Sequence, residues 1–182
     1  MKRSIRQFSA VVALALLTSF GVASHAAAAP ALASQGQAPE FTGLTTWINS
    51  PPLTLAGLRG KVVLVDFWTY ACYNCANTLP YVTKWHEKYK DKGLVVIGIH
   101  TPEFAYEHVT ANVRAAVKRF DIKYPVAQDN KYGTWLAYNN RYWPAFYLID
   151  KNGAVVHTHF GEGAYDEMEG AIQTLLAAAP KG

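Results

Sequence analysis

The sequence predicts an α/β protein with a mixed β-sheet, parallel in its first part and flanked by helices on both faces. Two apolar, β-branched runs at residues 61–68 and 94–100 are typical of buried parallel strands. Residues at helical spacing follow each run. Later in the chain, Asn152-Gly153 separates two further apolar runs, and this dipeptide favours a tight antiparallel hairpin. The expected order is therefore strand–helix units, then a hairpin and a last helix.

Residues 1–29 have the pattern of a secretory signal peptide. Lys2, Arg3 and Arg6 precede an apolar run at residues 11–17, and small residues near 24–28 offer cleavage sites. The apolar run is short for a membrane span, so an uncleaved anchor is the less favoured alternative. We expect export to the periplasm or another extracytoplasmic space. Residues 30–37 are then predicted to be a flexible tether, and residues 38–182 one domain.

The charge of the chain comes largely from this first segment. The chain has 17 Lys and Arg residues against 13 Asp and Glu residues, a net charge of +4. Three of the basic residues lie in the predicted signal peptide and no acidic ones do, which leaves a net charge of +1. A near-neutral domain lacks the basic patch that nucleic-acid binding needs. We expect a monomer that does not bind nucleic acid.

The first half of the predicted domain is built around the strand at 61–68. A short strand at 47–48 and a turn over 53–60 precede it. The helix after it has one apolar face, formed by Cys75, Leu79, Val82, Trp85 and Tyr89. After the strand at 94–100 we expect a helix capped by Thr101, with Pro102 at its first position. Its predicted buried face consists of Val109, Val113, Val117 and Phe120.

The second half contains shorter elements. A strand is predicted at 124–127 and a short helix at 131–138. The hairpin strands are predicted at 146–149 and 154–157. A last helix is expected to turn four apolar residues inward, namely Met168, Ile172, Leu175 and Leu176.

Cys72 and Cys75 are the only cysteines of the chain, and they lie on the turn between the central strand and its helix. A helix N-terminus has unpaired N–H groups and the positive end of the macrodipole, so it favours a thiolate at Cys72. Two cysteines three positions apart on a turn can also form a disulfide with each other. We therefore assign Cys72 as the attacking thiol and Cys75 as the resolving thiol. The alternatives are an inert buried pair or half of a zinc site, although no second cysteine pair completes such a site.

The residues around the cysteines resemble the thioredoxin superfamily. The matching motifs are Val65-Asp66-Phe67-Trp68, Cys72-x-x-Cys75 and Pro80. Residues 53–65, with Leu58-Arg59-Gly60, are similar to the exported TlpA-like branch. The resemblance covers residues 41–179. It implies a thioredoxin-like fold with an extra helix between the cysteine-bearing helix and the cis-proline strand.

Within that branch, the chain is most similar to the thioredoxin-like module of DipZ-type proteins. The motifs that carry this resemblance are Trp68-Thr69-Tyr70, Thr101-Pro102-Glu103-Phe104 and Tyr142-Trp143-Pro144. Pro144 corresponds to the cis-proline that helps to align an incoming disulfide, its alternative being an ordinary proline at a strand start.

The resemblance also implies a role in proton transfer for one buried acid. Asp66 matches the carboxyl group beneath the second cysteine, and an apolar strand should raise its pKa, which suits proton exchange with Cys75. Glu103 is either a further proton-transfer group or an acid that complements a helix N-terminus.

Three aromatic residues are candidates for the surface that receives a partner. Trp68, Tyr70 and Trp143 would form an apolar rim around the cysteines, or would belong to the core. His157 and His159 share one face of a strand and could bind a metal, but a solvated strand face is the favoured interpretation.

These residues predict an exported thiol–disulfide oxidoreductase that reduces protein disulfides. The Cys72 thiolate would attack a substrate disulfide, and Cys75 would resolve the mixed disulfide, leaving a Cys72–Cys75 disulfide. No bound cofactor or metal is required, since the cysteine pair carries the two electrons. The resemblance implies disulfide-containing protein substrates and a membrane-embedded electron donor. The dipeptide Tyr73-Asn74 lacks the proline found in thioredoxin itself, so the direction of electron flow stays open.

Two other functions stay open at this point. A copper carrier of thioredoxin fold would use Cys72, Cys75 and a histidine, although the cysteines of such carriers are usually spaced one residue wider. A peroxide-reducing redoxin would need a threonine and an arginine beside its reactive thiol. Ala71 and Tyr73, which flank Cys72, do not fit that pattern.

Overall fold

The computed structural model describes residues 32–178, so the predicted signal peptide (1–29) lies outside the described residues. In chain order, the strands and helices are β1 (Gly36–Gln37), β2 (Trp47–Ile48), β3 (Val62–Trp68), α1 (Tyr73–Tyr89), β4 (Leu94–His100), α2 (Thr110–Arg119), β5 (Val126–Gln128), α3 (Gly133–Ala137), β6 (Ala145–Ile149), β7 (Ala154–Phe160) and α4 (Tyr165–Ala177). Short 3₁₀ turns lie at Ala56–Leu58, Lys90–Lys92 and Ala105–His108. Among the described residues, no helix has the length and apolar character needed to cross a membrane.

The seven strands form one mixed sheet in the order β1-β7-β6-β3-β4-β5-β2. β3 pairs in parallel with β4, and β4 in parallel with β5. On its other side β3 pairs antiparallel with β6. All seven residues of β3 are buried because neighbouring strands and helices surround it. The predicted fold class is therefore confirmed.

Successive residues of β3 face opposite sides of the sheet and belong to two separate hydrophobic cores. Val62, Leu64 and Trp68 pack in one core with buried residues of α1, α2 and α4. Val63, Val65 and Phe67 pack in the other with α3 and the segment before β3. The predicted apolar face of α1 is buried at every position. Asp66 lies between Leu64 and Trp68 in the alternation of β3 and therefore faces α1 as they do. Its carboxyl is thus on the side of Cys75.

The hairpin is present where Asn152-Gly153 predicted it. β6 and β7 pair antiparallel, and Gly153 adopts φ +78°, which its missing side chain permits. The Asp150 carboxylate accepts hydrogen bonds from the N–H groups of Asn152 (2.9 Å) and Ala154 (2.8 Å). β7 continues to Phe160, three residues beyond the predicted end.

The helix predicted to follow Thr101 as its cap, with Pro102 at its first position, begins instead at Thr110, and this part of the prediction is wrong. Thr101 is buried, and its N–H donates to the Trp68 carbonyl (3.1 Å) rather than starting a helix. The separate 3₁₀ turn at Ala105–His108 interrupts the expected helix. Val109 therefore precedes α2 and is 49% exposed instead of buried.

Smaller differences concern the ends of two elements and one face of α4. The third strand spans Val126–Gln128, and α3 is limited to Gly133–Ala137. In α4, Ala171 is buried and Leu176 is only partly so.

The predicted tether ends in a strand. Gly36–Gln37 pairs antiparallel with the start of β7, and the Gln35 N–H donates to the Val155 carbonyl (2.7 Å). The last residues before the predicted domain are thus part of the sheet.

Candidate active site

The two cysteines lie where β3 turns into α1. Cys72 is the N-cap of α1, and its sulfur accepts a hydrogen bond from the Cys75 N–H at 3.2 Å. Both cysteines are free thiols; Cys72 is partly exposed, whereas Cys75 is buried completely. The helix N-terminus therefore stabilises a negative charge at the cysteine that a substrate can reach.

The surroundings of the two sulfur atoms move their pKa values in opposite directions. A hydrogen bond from the Cys75 thiol lowers the pKa of Cys72 to about 7, despite opposing effects of burial and of the Glu103 charge. Backbone N–H groups of Cys75 and Asn74 add to this lowering. Burial raises the pKa of Cys75, and the neighbouring Cys72 raises it further. Near neutral pH, Cys72 is thus the nucleophile and Cys75 keeps its proton.

Asp66 lies in β3 with its carboxyl fully buried. Burial raises the pKa of Asp66 to about 8, and the Cys72 charge contributes to the shift. Its partner in β4 is Gly98, whose added Cβ would lie only 3.1 Å from Cε2 of Tyr124. The Tyr124 ring therefore occupies the space beside Gly98, opposite Asp66. Because the residue at this position of β4 is a glycine, no lysine side chain extends from it toward Asp66.

Pro144 stands immediately before β6, and the Trp143–Pro144 peptide bond is cis, as the resemblance implied. Its carbonyl accepts a hydrogen bond from the Gly161 N–H (2.9 Å). The Trp143 indole donates to the Thr101 carbonyl (3.1 Å), which ties the segment before β6 to the end of β4.

The predicted aromatic rim is only partly available. Trp68 is completely buried, with its ring 5.2 Å from that of His100, and so belongs to the core rather than the rim. Tyr70 and Trp143 are half-buried and retain exposed surface. Tyr70 stacks on His100, and its hydroxyl donates to the Tyr106 carbonyl (2.9 Å).

Glu103 is exposed in the loop after β4, and its charge acts on Cys72. It cannot complement the N-terminus of α2, since that helix begins seven residues later, at Thr110. Its predicted part in proton transfer stays a prediction.

Sequence reasoning missed Glu107, which is fully buried beside the cysteine turn. Its Oε1 atom accepts hydrogen bonds from the Thr69 hydroxyl and the Ala71 N–H (3.0 Å). Its Oε2 atom accepts from the N–H groups of Glu103 (2.7 Å) and Phe104 (2.9 Å). Burial acts to raise the pKa of Glu107, but these hydrogen bonds outweigh it and the net shift is downward. The available signal was a glutamate three positions after Phe104, the spacing of a capping box.

His100 is a second buried polar group that the sequence did not single out. Its Nε2 lies 3.3 Å from the Thr69 hydroxyl oxygen, and burial lowers the pKa of His100 to about 4 despite the opposing charge of Glu107. The imidazole is therefore neutral at physiological pH.

The histidines of β7 do not form part of this site. His157 lies 3.9 Å from the Glu167 carboxylate, and His159 lies 3.2 Å from the Glu162 carbonyl. Within residues 32–178, no group of three or more His, Cys, Asp or Glu side chains is arranged to hold a metal ion.

Comparison with known proteins relates most of the chain to redox proteins. The Redoxin family model matches residues 33–174. Protein DipZ of Mycobacterium bovis is 51% identical over 154 residues, which cover 83% of this chain and 22% of DipZ. The thiol-disulfide oxidoreductase ResA of Bacillus cereus is 32% identical over 139 residues, covering 76% of each chain. The chain thus spans about a fifth of the length of DipZ.

Solved structures agree with the fold. The crystal structure of a thioredoxin-like superfamily protein superposes with a TM-score of 0.72 at 31% identity. The match covers 79% of this chain and 98% of that protein. The thioredoxin-like fold predicted from the motifs is therefore confirmed.

Proposed function

Because this chain belongs to the Redoxin family, we propose that it is a thiol–disulfide oxidoreductase that reduces protein disulfides with Cys72 and Cys75. The observation that carries the proposal is the difference between the two thiols. Cys72 is accessible, caps a helix and has a pKa of about 7, whereas Cys75 is buried and protonated. A thiolate beside a protected second thiol is the arrangement that disulfide exchange requires.

The reaction proceeds in two displacements. The Cys72 thiolate attacks one sulfur of the substrate disulfide, a mixed disulfide forms, and the other substrate sulfur leaves as a thiolate that takes up a proton. Cys75 then loses its proton and attacks the Cys72 sulfur. The remaining substrate sulfur leaves, and the Cys72–Cys75 disulfide holds the two-electron deficit. The reverse sequence would introduce a disulfide into a substrate.

Asp66 is the group that exchanges a proton with Cys75. It lies on the face of β3 that packs against α1, and its charge acts on Cys75. A pKa of about 8 lets its carboxyl group bind and release a proton near neutral pH, which suits both directions of the reaction. Glu103, exposed near Cys72, is a second route for protons to solvent.

Tyr70, Trp143 and Pro144 receive the substrate in this proposal. Tyr70 and Trp143 retain exposed aromatic surface, whereas Pro144 is buried, so the proposed contact with an extended substrate segment is made by the backbone that precedes β6. The signal-like residues 1–29 direct the chain out of the cytoplasm. In the extracytoplasmic space, a membrane-embedded donor returns electrons to the Cys72–Cys75 disulfide, and the protein acts as a monomer.

The test equilibrates the protein without residues 1–29 in graded thiol/disulfide buffers and counts free thiols by alkylation and mass. A two-electron transition near about −250 mV or lower is expected for a reductant, whereas a midpoint near about −120 mV would make the protein an oxidant. Cys75→Ser should accumulate a mixed disulfide through Cys72, and Cys72→Ser, its matched control, should not. If Cys72 and Cys75 never form a disulfide with each other, the proposal is wrong.

A further inference from the structure

A single buried carboxylate joins the 69–71 loop, which leads from β3 to Cys72, to the loop that follows β4. Each oxygen of Glu107 serves one loop: Oε1 accepts from Thr69 and Ala71, and Oε2 accepts from Glu103 and Phe104. The side chain is fully buried, so water does not replace a bond that is lost. A buried carboxylate is tolerated because donors satisfy both of its oxygens, and removing it leaves four donors without their acceptor.

The loop that Glu107 holds is the only covalent link between β3 and Cys72. It consists of Thr69, Tyr70 and Ala71. The Cys72 N–H donates a hydrogen bond to the Thr69 carbonyl, with 3.4 Å between nitrogen and oxygen. The position of this short loop therefore determines where the Cys72 sulfur lies relative to the N–H groups at the start of α1.

The loop after β4, which contains Glu103 and Phe104, is itself held in place by hydrogen bonds. Glu107 therefore ties the 69–71 loop to a fixed part of the structure. The Tyr132 hydroxyl donates to the Pro102 carbonyl, and the Trp143 indole donates to the Thr101 carbonyl. On the other side, Thr69 also lies 3.3 Å from the buried His100. These contacts carry the restraint from β4 and the segment before β6 to the cysteine turn.

We propose that Glu107 is the positioning residue of the cysteine pair: its carboxylate holds the 69–71 loop so that the Cys72 sulfur meets the N–H groups at the start of α1. This inference rests on the proposed function. Glu107 touches neither cysteine and acts through the backbone of the loop.

The direction in which the pKa of Cys72 moves when Glu107 is replaced distinguishes a positioning role from a simple effect of its charge. Removing a negative charge near Cys72 would by itself stabilise the thiolate and lower the pKa of Cys72. Loosening the loop would weaken the hydrogen bonds from Cys75 and Asn74 and raise that pKa instead.

The experiment follows the alkylation rate of Cys72 against pH in Glu107→Ala and Glu107→Gln. Glu107→Ala should raise the apparent pKa of Cys72 by about one unit, which is a roughly tenfold fall in the ratio of thiolate to thiol. Glu107→Gln should give a smaller rise, since its amide oxygen can still accept from one loop. At a pH well above both pKa values, where Cys72 is fully ionised, this tenfold loss of thiolate stability would lower the midpoint in thiol/disulfide buffers by about 30 mV.

Glu40→Gln is the matched control. Glu40 also accepts backbone hydrogen bonds, from Phe41 (2.9 Å), Leu55 (2.7 Å) and Ala56 (3.0 Å), but contacts no residue of the cysteine turn. It should lose stability without changing the pKa of Cys72. An unchanged or lowered pKa in both Glu107 variants, with lost stability alone, would overturn the proposal.

Thr69→Val provides a second route if Glu107→Ala fails to fold. It removes one of the four hydrogen bonds and keeps the side-chain volume, so a smaller rise in the pKa of Cys72 is expected; no rise would count against the proposal. Alkylation needs no substrate turnover. The comparison therefore stays decisive even if the wild-type pair proves unable to reduce protein disulfides.

Discussion

Asp66 is a carboxyl group in the interior of the sheet, and the described residues offer its oxygens no hydrogen-bond donor. Burial raises the pKa of Asp66 from 3.8 to about 8. Between these values the unfolded chain releases the proton and the folded chain keeps it. Folding stability therefore falls as pH rises through this window, and the loss is complete above about pH 8.

Asp66→Asn should remove this loss. Relative to wild type, the free energy of unfolding of the variant should increase by up to about 1.4 kcal/mol per pH unit between about pH 4 and 8, then level off. Urea unfolding of both reduced proteins at several pH values measures the difference. The same pair in a Cys72→Ser background shows whether the titrating thiol contributes. A difference that does not vary with pH would contradict the assignment of a raised pKa to Asp66.

Individual residues of the candidate site were predictable from the sequence to different degrees. Cys72 lies where a strand turns into a helix, so the local pattern identified it, whereas Asp66 was assigned through the resemblance to the thioredoxin superfamily. Glu107 lies 35 residues after Cys72, and only the folded sheet brings its loop to the cysteine turn. Trp68 was assigned to the rim as one alternative, but it faces the same side of β3 as Val62 and Leu64, so its ring lies in the core with α1.

At the level of elements, β4 must pass close to Trp68 and Tyr124, and this requires a glycine. A Cβ at Gly98 would lie 2.9 Å from Trp68 Nε1, 3.1 Å from Tyr124 Cε2 and 3.3 Å from Val126 Cγ2. Gly98→Ala should lower the free energy of unfolding by about 1–3 kcal/mol, because a packed core cannot yield easily. Denaturant unfolding measures the change, and an unaltered midpoint would show that the aromatic rings can move apart.

Gly170 gives the opposite expectation within α4. An added Cβ there meets no atom within 4 Å, and the position is exposed in the middle of the helix. Gly170→Ala should raise the free energy of unfolding by about 0.5–1 kcal/mol, since alanine loses less backbone entropy in a helix. The same denaturant measurement, made beside Gly98→Ala, tests it. A destabilised variant would mean that an unseen contact limits this face of α4.

Elements with strong periodicity were predicted well, and the loop after β4 was not. The apolar face of α1 and the Asn-Gly hairpin depend on neighbouring residues alone. The sequence from Thr101 to Glu103 has every local sign of a helix start, but the buried Glu107 carboxylate takes the N–H groups of Glu103 and Phe104. The same carboxylate accepts hydrogen bonds from Thr69 and Ala71 in the distant cysteine turn. This contact depends on the folded sheet, so the sequence did not show that α2 begins only at Thr110.

Considered as a whole, the molecule keeps its redox site and its added first strand at opposite ends of the central strands. β1 pairs with Val155, which is opposite Ile149, and Ile149 faces Val63 near the start of β3. The cysteine turn follows the other end of β3. Five residues of extended chain, about 16 Å, separate Val63 from Trp68.

This separation predicts that residues 32–37 support stability without affecting the cysteine chemistry. A chain beginning at Ala38 would lose β1, the hydrogen bond from Gln35 to Val155 and the packing of Leu32 on the core. It would also expose β7 as an edge strand, which favours association. We expect a loss of about 1–3 kcal/mol in the free energy of unfolding, from a few backbone hydrogen bonds and one apolar contact.

The matched control is a chain beginning at Leu32, which keeps β1. Both chains should show the same thiol/disulfide midpoint and the same pH dependence of Cys72 alkylation, because the cysteine turn lies beyond the far end of β3. Equal stability of the two chains would mean that residues 32–37 act only as the flexible tether that their composition predicted. A shifted midpoint in the shorter chain would instead mean that the sheet transmits changes at its edge to the cysteine turn.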